Sequence, residues 1–392
     1  MAEYEVLTHL LAIPHYEVVG VTFGQECLTL DIQSTEEGGI CPRCGQCCTT
    51  LHENHARIVR DLPISGKACY LRFVRRRFFC AHCGRPFSEP LDFVEDHRDY
   101  TRRYQAWIFQ QVKENNIASV QRLEGLTFDQ IESIFVTEAR ARIPSHPFAH
   151  LKRLGIDEIS MRKGKRNFVL ILTNLDTGEV VDVLEKRTKE KLRSRLAQLT
   201  EEERTQIEEV AIDMWEPYAD VCEELLPNAT ITVDRFHVMQ AINKELKALK
   251  NQEKKQHPEA LKGAHYALLK NQENLTETQQ ETLRRVYETS PTLKMAHRLK
   301  ESLRHIFECF STKEKAIQRL KKWTTLAQQD NLFPEFRKTL AHWLEKITNY
   351  FHRRTTNGMV EGINNKIKLI KRRAFGFRNF EHFRLRVIAA FL

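Results

Sequence analysis

The chain contains 392 residues, of which 41% are hydrophobic and 29% are charged, and its formal net charge is +9. This length exceeds what one hydrophobic core usually holds, so two to four domains are expected. No segment approaches the roughly 18 to 20 apolar residues of a membrane helix, and the acidic N-terminus lacks the basic region of a secretory signal, which predicts a soluble protein of a reducing cytoplasm.

Two cysteine pairs with Cys-x-x-Cys spacing lie near the N-terminus, in the segments CPRC and CAHC. A glycine follows each pair, which suits the tight turn that directs two thiolates at one ion. A disulfide is disfavoured in a reducing compartment. We therefore predict a zinc ribbon over residues 36–97, with one structural Zn2+ ion. Cys47 and Cys48 remain alternative ligands to the predicted set, which is Cys41, Cys44, Cys80 and Cys83.

A run of arginines precedes the second cysteine pair, in a strand-like part of the ribbon. Arg75, Arg76 and Arg77 are consecutive in the sequence. Such a basic edge suits contacts with phosphates, so we predict that the ribbon binds DNA and takes no part in catalysis. Residues 1–35 form a separate N-terminal segment in this interpretation.

Residues 98–147 have helical periodicity and predict a helix-turn-helix module. Gly125 falls at the turn, and Thr127 and Gln130 have the spacing of a capping box. The second helix carries Asp129 and two glutamates, which would repel phosphates, so docking of that face in the major groove is not favoured. DNA binding and a bundle that only packs against another domain both remain open.

The segment 148–238 predicts strands and helices in the order strand-strand-strand-helix-strand-helix-strand. The second and third strands form a hairpin around an Asp-Thr-Gly turn. This is the order of a ribonuclease-H-like sheet, in which the first strand is central, the fourth lies beside it and the fifth lies beyond. The helix after the hairpin has an apolar stripe formed by Leu192, Leu196 and Leu199.

Three aspartates of this core are candidate ligands for divalent metal ions. Asp157 lies within an apolar strand, where an unpaired carboxylate is costly. Asp213 and Asp234 each follow a short apolar strand. Because adjacent strands are roughly 4.8 Å apart and next-but-one strands twice that, Asp213 reaches Asp157 more easily, and Asp234 is the alternative. Clustered carboxylates can hold two divalent ions for phosphoryl transfer.

The C-terminal segment 351–392 is strongly basic, with ten Lys and Arg residues against two glutamates. Its predicted helix buries a stripe of Val360, Ile363, Ile367 and Ile370. Glu361, on a polar face shared with Asn357, is an acid among cations and suits a third metal ligand beside a DNA backbone. A solvated surface is the alternative. The predicted phosphate contacts are Lys366, Lys368, Lys371, Arg372 and Arg373.

Residues 239–350 are polar, rich in Lys and Gln, and helical in periodicity, which predicts an all-helical insertion. The predicted fold class is therefore α+β and multidomain. Its parts are an N-terminal segment (1–35), a zinc ribbon (36–97), a helix-turn-helix module (98–147), a ribonuclease-H-like α/β core in two pieces (148–238 and 351–392) and the helical insertion (239–350).

These motifs together resemble those of DDE transposases of the bacterial insertion-sequence family ISL-three (ISL3). The resemblance covers nearly the whole chain, through CPRC…CAHC with RDLP and RRRFFC between, GIDEIS, IDMWEPY, VDRFHV, TTNGMVEGINNKIK and GFRNFEHFRLR. It implies an enzyme that cleaves DNA by hydrolysis and joins the freed 3′-OH to target DNA, using two Mg2+ or Mn2+ ions. It also implies Asp157, Asp213 and Glu361 as the catalytic, metal-binding triad, with Asp234 and His237 as supporting residues.

The resemblance further implies double-stranded DNA partners, namely terminal inverted repeats and target DNA. Two DNA ends in one reaction suggest a homodimer or a larger assembly, associated with the nucleoid in a bacterial cytoplasm. Two other functions remain open on the sequence alone. One is a non-catalytic zinc-ribbon and helix-turn-helix regulator derived from a transposase, and the other is a structure-selective nuclease of the same fold.

Overall fold

The computed structural model of the protein describes residues 4–161, 167–309, 312–354, 358–374, 376–377 and 379–392. They divide into two compact units at the peptide bond between Ile143 and Pro144. Across these ranges, no helix combines the length and the apolar character needed to cross a membrane. Asn357, which we placed on the polar face of the C-terminal helix, lies outside the described residues.

The N-terminal unit combines a small β-sheet with short helices. Its elements in chain order are α1 (Glu5–Leu11), β1 (Tyr16–Phe23), β2 (Cys27–Ser34), β3 (Gly39–Ile40), β4 (Cys47–Cys48), β5 (Leu51–Ile64), β6 (Lys67–Cys80), β7 (Arg85–Ser88), α2 (Arg102–Glu114), α3 (Ile117–Glu124) and α4 (Phe128–Arg142).

The main sheet of this unit has the strand order β1-β2-β6-β5, and β7 pairs with β6. β2 and β6 are parallel, whereas the other neighbours are antiparallel. Alternate residues of the strands, such as Leu30, Val59 and Leu71, are buried in one apolar cluster with Leu11 of α1. Residues 1–35, which we had separated from the zinc ribbon, therefore supply two strands of the ribbon's own sheet.

The predicted capping box at the start of α4 is confirmed. The Thr127 hydroxyl accepts a hydrogen bond from the Gln130 backbone N–H at 3.3 Å, and the Gln130 side-chain oxygen accepts one from the Thr127 N–H at 2.9 Å. Gly125 ends α3 with a φ of +65°, which a residue with a Cβ rarely adopts. Phe109 of α2 stacks on Phe135 of α4 at 5.3 Å and joins the helices.

Two ion pairs join the sheet to these helices. Asp61 of β5 is buried and pairs with Arg103 of α2, and it also accepts a hydrogen bond from the Thr101 hydroxyl at 2.7 Å. Arg60 of β5 pairs with Glu124 of α3 at 3.1 Å, and both side chains are about nine-tenths buried. The ribbon sheet and the helical module therefore form one body.

The C-terminal unit contains a second sheet and most of the helices. Its strands are β8 (Arg153–Ser160), β9 (Phe168–Asn174), β10 (Val180–Leu184), β11 (Glu209–Ile212) and β12 (Thr230–Val233). Its helices are α5 (Lys189–Ala197), α6 (Glu201–Thr205), α7 (Glu216–Leu225), α8 (Arg235–Gln256), α9 (Ala264–Leu269), α10 (Glu277–Thr289), α11 (Pro291–Glu308), α12 (Lys313–Gln329), α13 (Pro334–His342), α14 (Leu344–Thr348), α15 (Tyr350–Arg353), α16 (Gly358–Arg373) and α17 (Phe380–Ala389), with a 3-10 turn at Gln272–Asn274.

The strand order of this sheet is β10-β9-β8-β11-β12, as predicted. β8, β11 and β12 are parallel, whereas β9 and β10 are antiparallel to their neighbours. The predicted leucine stripe of α5 and the predicted apolar stripe of α16 are both buried. Helix α8 starts at Arg235, so it crosses the boundary that we had set at residue 238 and extends from the sheet into the helical insertion.

A buried ion-pair cluster attaches the C-terminal helix to the sheet. Asp182 of β10 is almost fully buried and accepts hydrogen bonds from Arg195 of α5 at 2.5 Å and from Arg384 of α17 at 2.7 Å. A buried carboxylate requires such partners, because its desolvation is otherwise costly. The last helix is thus fixed on the same sheet that carries the candidate acids.

Candidate functional site

The four cysteines predicted to bind zinc lie together in the N-terminal unit. Their sulfur atoms are all within 4.8 Å of one another. Cys41 and Cys83 are separated by 4.0 Å between sulfurs, and Cys44 and Cys80 by 3.6 Å. Four thiolates bound tetrahedrally at roughly 2.3 Å from zinc are about 3.8 Å apart, so these spacings fit the ion.

The local backbone explains why these sulfurs converge. Gly45 and Gly84, which follow the two pairs, have φ of +72° and +63°, as the tight turns require. Burial raises the pKa of Cys41, but hydrogen bonds from backbone N–H groups outweigh burial and lower it to about 6. Cys47 is exposed, and Cys48 is buried beside the cluster without belonging to the set of four.

The register of the second sheet relates two of the candidate acids. β8 and β11 are paired in parallel, with Leu154 opposite Val210 and Gly155 opposite Ala211. Extended by two residues, this register brings Asp157 opposite Asp213, on adjacent strands that are roughly 4.8 Å apart. The pairing therefore relates the middle of β8, which carries Asp157, to the carboxyl end of β11, which Asp213 follows.

Helix α16 covers the face of the sheet that carries these acids. Val360 of α16 is buried in a cluster with Ala211 of β11. Because side chains alternate along a strand, Ala211 and Asp213 point to the same side, and so do Gly155 and Asp157. The other side chains of β8 and β11, such as Ile156 and Val210, belong to the main core on the opposite face.

Asp213 is held in an environment that opposes its ionisation. Burial, together with the nearby carboxylates of Glu158 and Asp157, raises the pKa of Asp213 to about 6, although the charges of His237 and Arg187 act in the opposite direction. Its Oδ1 atom is buried and has no hydrogen-bond partner among the described residues. A bound cation would satisfy this oxygen and favour the charged form.

Asn364 is a further residue at the candidate site, and its sequence position alone did not single it out. Its Nδ2 donates a hydrogen bond to Oδ2 of Asp157 at 2.6 Å, across the gap between α16 and β8. Its own Oδ1 is buried and has no hydrogen-bond partner in the described part of the chain. The signal in the sequence was its position three residues after Glu361, which places both on adjacent parts of one helical face.

Glu158 is a second residue that the sequence analysis missed. It accepts a hydrogen bond from the Tyr218 hydroxyl at 2.9 Å and pairs with Arg187 at 2.6 Å. The Arg187 guanidinium also lies 4.5 Å from the centre of the Phe168 ring. Glu158 follows Asp157 and therefore points to the other face of the strand, where these contacts hold it near the same edge.

Glu361 lies on the exposed side of α16, one helical turn before Asn364. In the described ranges, the four cysteines are the only group of three or more potential ligands with ligand atoms within 4.8 Å of one another. Asp157, Asp213 and Glu361 thus do not form a compact cluster in this structure, although Asn364 and Val360 hold the Glu361 helix against the acid-bearing strands.

Asp234 lies one strand farther from Asp157 and has a structural role. It follows β12, is buried, and caps α8 by accepting a hydrogen bond from the Phe236 backbone N–H at 3.0 Å. His237, in the first turn of α8, is half-buried and close enough to Asp213 to influence its pKa. The charge of His237 thus favours the ionised form of Asp213.

The three arginines of the ribbon differ in their availability to DNA. Arg76 makes two hydrogen bonds to the Glu89 carboxylate and others to residues of the β2 end, and its side chain is 20% exposed. Arg75 pairs with Asp96 at 2.7 Å. Arg77, at 38% exposure, pairs across the sheet with Glu53 at 3.2 Å. Internal contacts thus occupy Arg75 and Arg76 more than Arg77.

The basic residues of α16 divide in the same way. Lys366 donates to the Ala390 carbonyl and Lys371 to the Ser160 carbonyl, so both help to anchor the helix. Burial, with the nearby charge of Lys368, lowers the pKa of Lys371. The side chains that extend into solvent from the later turns of this helix are Lys368, Arg372 and Arg373.

Comparison with known proteins agrees with this arrangement. A model of the ISL3 family described as "Transposase" matches residues 154–387, more than half of the chain. A model described as "zinc-finger of transposase IS204/IS1001/IS1096/IS1165" matches residues 37–83. A model described as "Helix-turn-helix domain of transposase family ISL3" matches residues 89–138. The predicted zinc ribbon and helix-turn-helix module are thereby confirmed as domains.

Relatives with similarity over most of the chain have the same description. The transposase for insertion sequence element IS1001 from Bordetella parapertussis is 28% identical over 93% of this chain and 91% of its own length. The transposase for IS1557 from Mycobacterium tuberculosis is 28% identical over 86% of this chain and 82% of its own length. A protein from Lactococcus lactis described as an ATP-dependent protease is 30% identical, but over only 30% of this chain. The chain therefore belongs to the ISL3 family of transposases.

Proposed function

We propose that this transposase binds the terminal inverted repeats of an insertion sequence and catalyses metal-dependent DNA cleavage and strand transfer with Asp157, Asp213 and Glu361. The observation that carries this proposal is the pairing of β8 with β11, which brings Asp157 and Asp213 to one edge under α16. The order β10-β9-β8-β11-β12 supports a ribonuclease-H-like core, since that sheet has its first strand at the centre.

The oxygen atoms at this edge fit a divalent cation such as Mg2+ or Mn2+. Both ions prefer oxygen ligands. The Oδ1 atoms of Asp213 and Asn364 are buried and have no hydrogen-bond partner within the described ranges, which is costly unless a ligand satisfies them. Asp157 and Asp213 would hold such ions, and Glu361 would complete the set from α16. When bound, the ions activate the attacking oxygen and stabilise the leaving oxygen of a phosphoryl transfer.

The surrounding residues would keep these carboxylates in place. The Asn364 amide donates to Oδ2 of Asp157 at 2.6 Å and the Glu158 backbone N–H donates to Oδ1 at 2.7 Å, so that both oxygens of this carboxylate are oriented. Tyr218 and Arg187 hold Glu158, so that this additional negative charge stays fixed beside Asp213. We assign Asn364 and Glu158 as positioning residues, because the Asn364 amide and the Glu158 backbone N–H both bind Asp157, and the Glu158 carboxylate raises the pKa of Asp213.

Other parts of the chain would bind DNA. The helix-turn-helix module and the zinc ribbon would recognise the terminal repeats, with one Zn2+ ion stabilising the ribbon. Arg77, Lys368 and Arg372 would contact phosphates, because Lys368 and Arg372 are exposed and Arg77 is the most exposed of the three ribbon arginines. A dimer or larger assembly would hold two DNA ends, in the bacterial nucleoid.

The test uses the full chain and a supercoiled plasmid that carries a marker between the two ends of the element. Wild-type protein should nick and join these ends with Mg2+ or Mn2+ and should be inactive without them. Asp157→Asn and Asp213→Asn should lose cleavage but retain DNA binding in a gel-shift assay. Asp330→Asn, an exposed aspartate at the end of α12, is the matched control. Full cleavage by Asp157→Asn would refute the assignment, and wild-type binding without cleavage would indicate a non-catalytic regulator.

A further inference from the structure

Helix α8 leads away from the candidate active edge, by which we mean the part of the second sheet that carries Asp157 and Asp213. It starts directly after Asp234, at the carboxyl end of β12, and continues for 22 residues to Gln256. At 1.5 Å per residue the helix is roughly 33 Å long. Any duplex that enters the active edge along this helix would meet its solvent-facing side.

That side carries a row of lysines, which we call the α8 lysine row. Lys247, Lys250 and Lys254 follow one another at intervals of three and four residues, so they lie on one face, and Lys244 borders it. Lys244, Lys247 and Lys254 are exposed, and Lys250 is partly buried. Burial, together with the charges of Lys254 and Lys247, lowers the pKa of Lys250, as expected for neighbouring like charges.

The acids of the same helix are engaged elsewhere. Glu245 accepts a hydrogen bond from the Phe336 backbone N–H, and Glu253 accepts one from the Ser290 hydroxyl at 2.6 Å. No lysine of the row makes an ion pair with a carboxylate in the described ranges. The buried side of α8, which includes Ile242 and Leu246, faces the core and leaves the lysine row in solvent. The row is therefore an uncompensated positive surface.

We propose that the α8 lysine row binds the phosphate backbone of the duplex DNA that leads to the cleavage site. This inference rests on the proposed function, and it assigns to the helical insertion a role in holding substrate. Charge complementarity supports it, because duplex DNA carries one phosphate per roughly 3.4 Å of each strand. From Lys247 to Lys254 the row spans eight residues, or roughly 11 Å, which corresponds to about three phosphates along one strand.

The binding would be independent of sequence and sensitive to salt. Each phosphate neutralised by a lysine releases condensed counterions, and the plot of log affinity against log salt gains a slope of roughly −0.9 per contact. Removal of three lysines should therefore reduce the magnitude of this slope by roughly two to three. The loss should be equal for duplexes of different sequence, because phosphate contacts carry no sequence information.

The experiment compares two triple variants of the full chain. Lys247→Ala, Lys250→Ala and Lys254→Ala remove the row, whereas Lys315→Ala, Lys321→Ala and Lys322→Ala remove the same charge from exposed positions of α12. Affinity for a fluorescent duplex of mixed sequence is measured by anisotropy over a series of salt concentrations. The row variant should show the smaller slope and about tenfold weaker binding at low salt, while the α12 variant should match the wild type. Equal losses in both variants would overturn the proposal, because net charge alone would explain them.

A second measurement uses the wild-type chain and does not depend on the folding of a variant. Lysines are acetylated by an N-hydroxysuccinimide ester with and without the same duplex, and the modified peptides are quantified by mass spectrometry. DNA should protect Lys247, Lys250 and Lys254, whereas Lys315, Lys321 and Lys322 should react equally in both samples. Unchanged acetylation of the row in saturating DNA would refute the proposal. Absence of cleavage by a wild-type protein whose row is protected would instead count against the catalytic assignment alone.

Discussion

Replacement of Asp213 by asparagine should stabilise the metal-free protein at neutral pH while it abolishes cleavage. Burial and the carboxylates of Glu158 and Asp157 disfavour the charged form of Asp213, and its Oδ1 has no hydrogen-bond partner among the described residues. An asparagine side chain has nearly the same shape and no charge. The substitution therefore removes an electrostatic penalty from the folded state.

The size of this effect follows from the pKa of Asp213, which rises from 3.8 to about 6 in the folded state. A pKa difference of one between the folded and unfolded states corresponds to about 1.4 kcal/mol, so the ionised side chain costs the fold about 3 kcal/mol above pH 6. The folded state binds the proton more tightly, so the penalty is absent below about pH 4 and develops as the pH rises through 6. The gain from the substitution should follow the same dependence.

The assay is urea unfolding of the full chain in metal-depleted buffer at about pH 5 and pH 8. Tryptophan fluorescence reports mainly the C-terminal unit, which holds Trp215, Trp323 and Trp343. Asp213→Asn should unfold at higher urea than the wild type at pH 8, and the difference should shrink at pH 5. Added Mg2+ should stabilise the wild type more than the variant. Equal stability of the two proteins at pH 8 would refute this account of the site.

Three further outcomes are expected. Serine at any of the four clustered cysteines should abolish zinc binding, measured by mass spectrometry, and should unfold the ribbon, measured by circular dichroism. Cys27→Ser is the control and should retain the metal. Full zinc content in a variant of the four cysteines would contradict the ligand set. Asn364→Ala should lower metal-dependent cleavage about tenfold and weaken the thermal stabilisation that Mg2+ produces. Substitution of its exposed neighbour, Asn365→Ala, should change neither quantity. Equal behaviour of the two variants would exclude Asn364 from the site. Asp182→Asn should destabilise the C-terminal unit by about 3 to 5 kcal/mol in urea unfolding, because it leaves two arginines poorly paired. Asp220→Asn, which removes an exposed ion pair with a lysine, should cost less than about 1 kcal/mol. A small loss of stability for Asp182→Asn would contradict the role of the buried cluster.

The order of strands and the buried stripes were predictable because they depend on local periodicity. Short apolar runs that end in Asp213 and Asp234 identified β11 and β12, and the spacing of leucines identified the buried side of α5. The cysteine spacing identified the four clustered sulfurs, because tight turns bring together residues that are close in sequence.

Contacts between distant residues could not be obtained in this way. The hydrogen bond from Asn364 to Asp157 joins residues 207 positions apart, and its geometry depends on how α16 packs against β8. Arg76 illustrates the same limit, since its place in a run of arginines suggests a DNA contact whereas Glu89, which follows the next strand, occupies its guanidinium. The partner of a charged side chain is a property of tertiary structure.

The two ion pairs between β5 and the helical module have a consequence for DNA recognition. Asp61 with Arg103, and Arg60 with Glu124, join the ribbon sheet directly to the helices within one compact unit. If both modules contact the same terminal repeat, the base pairs they read must occur at a fixed separation and on a fixed side of the double helix. Insertion of about five base pairs between them would rotate one target by half a turn and would abolish joint recognition, although each target sequence would remain intact.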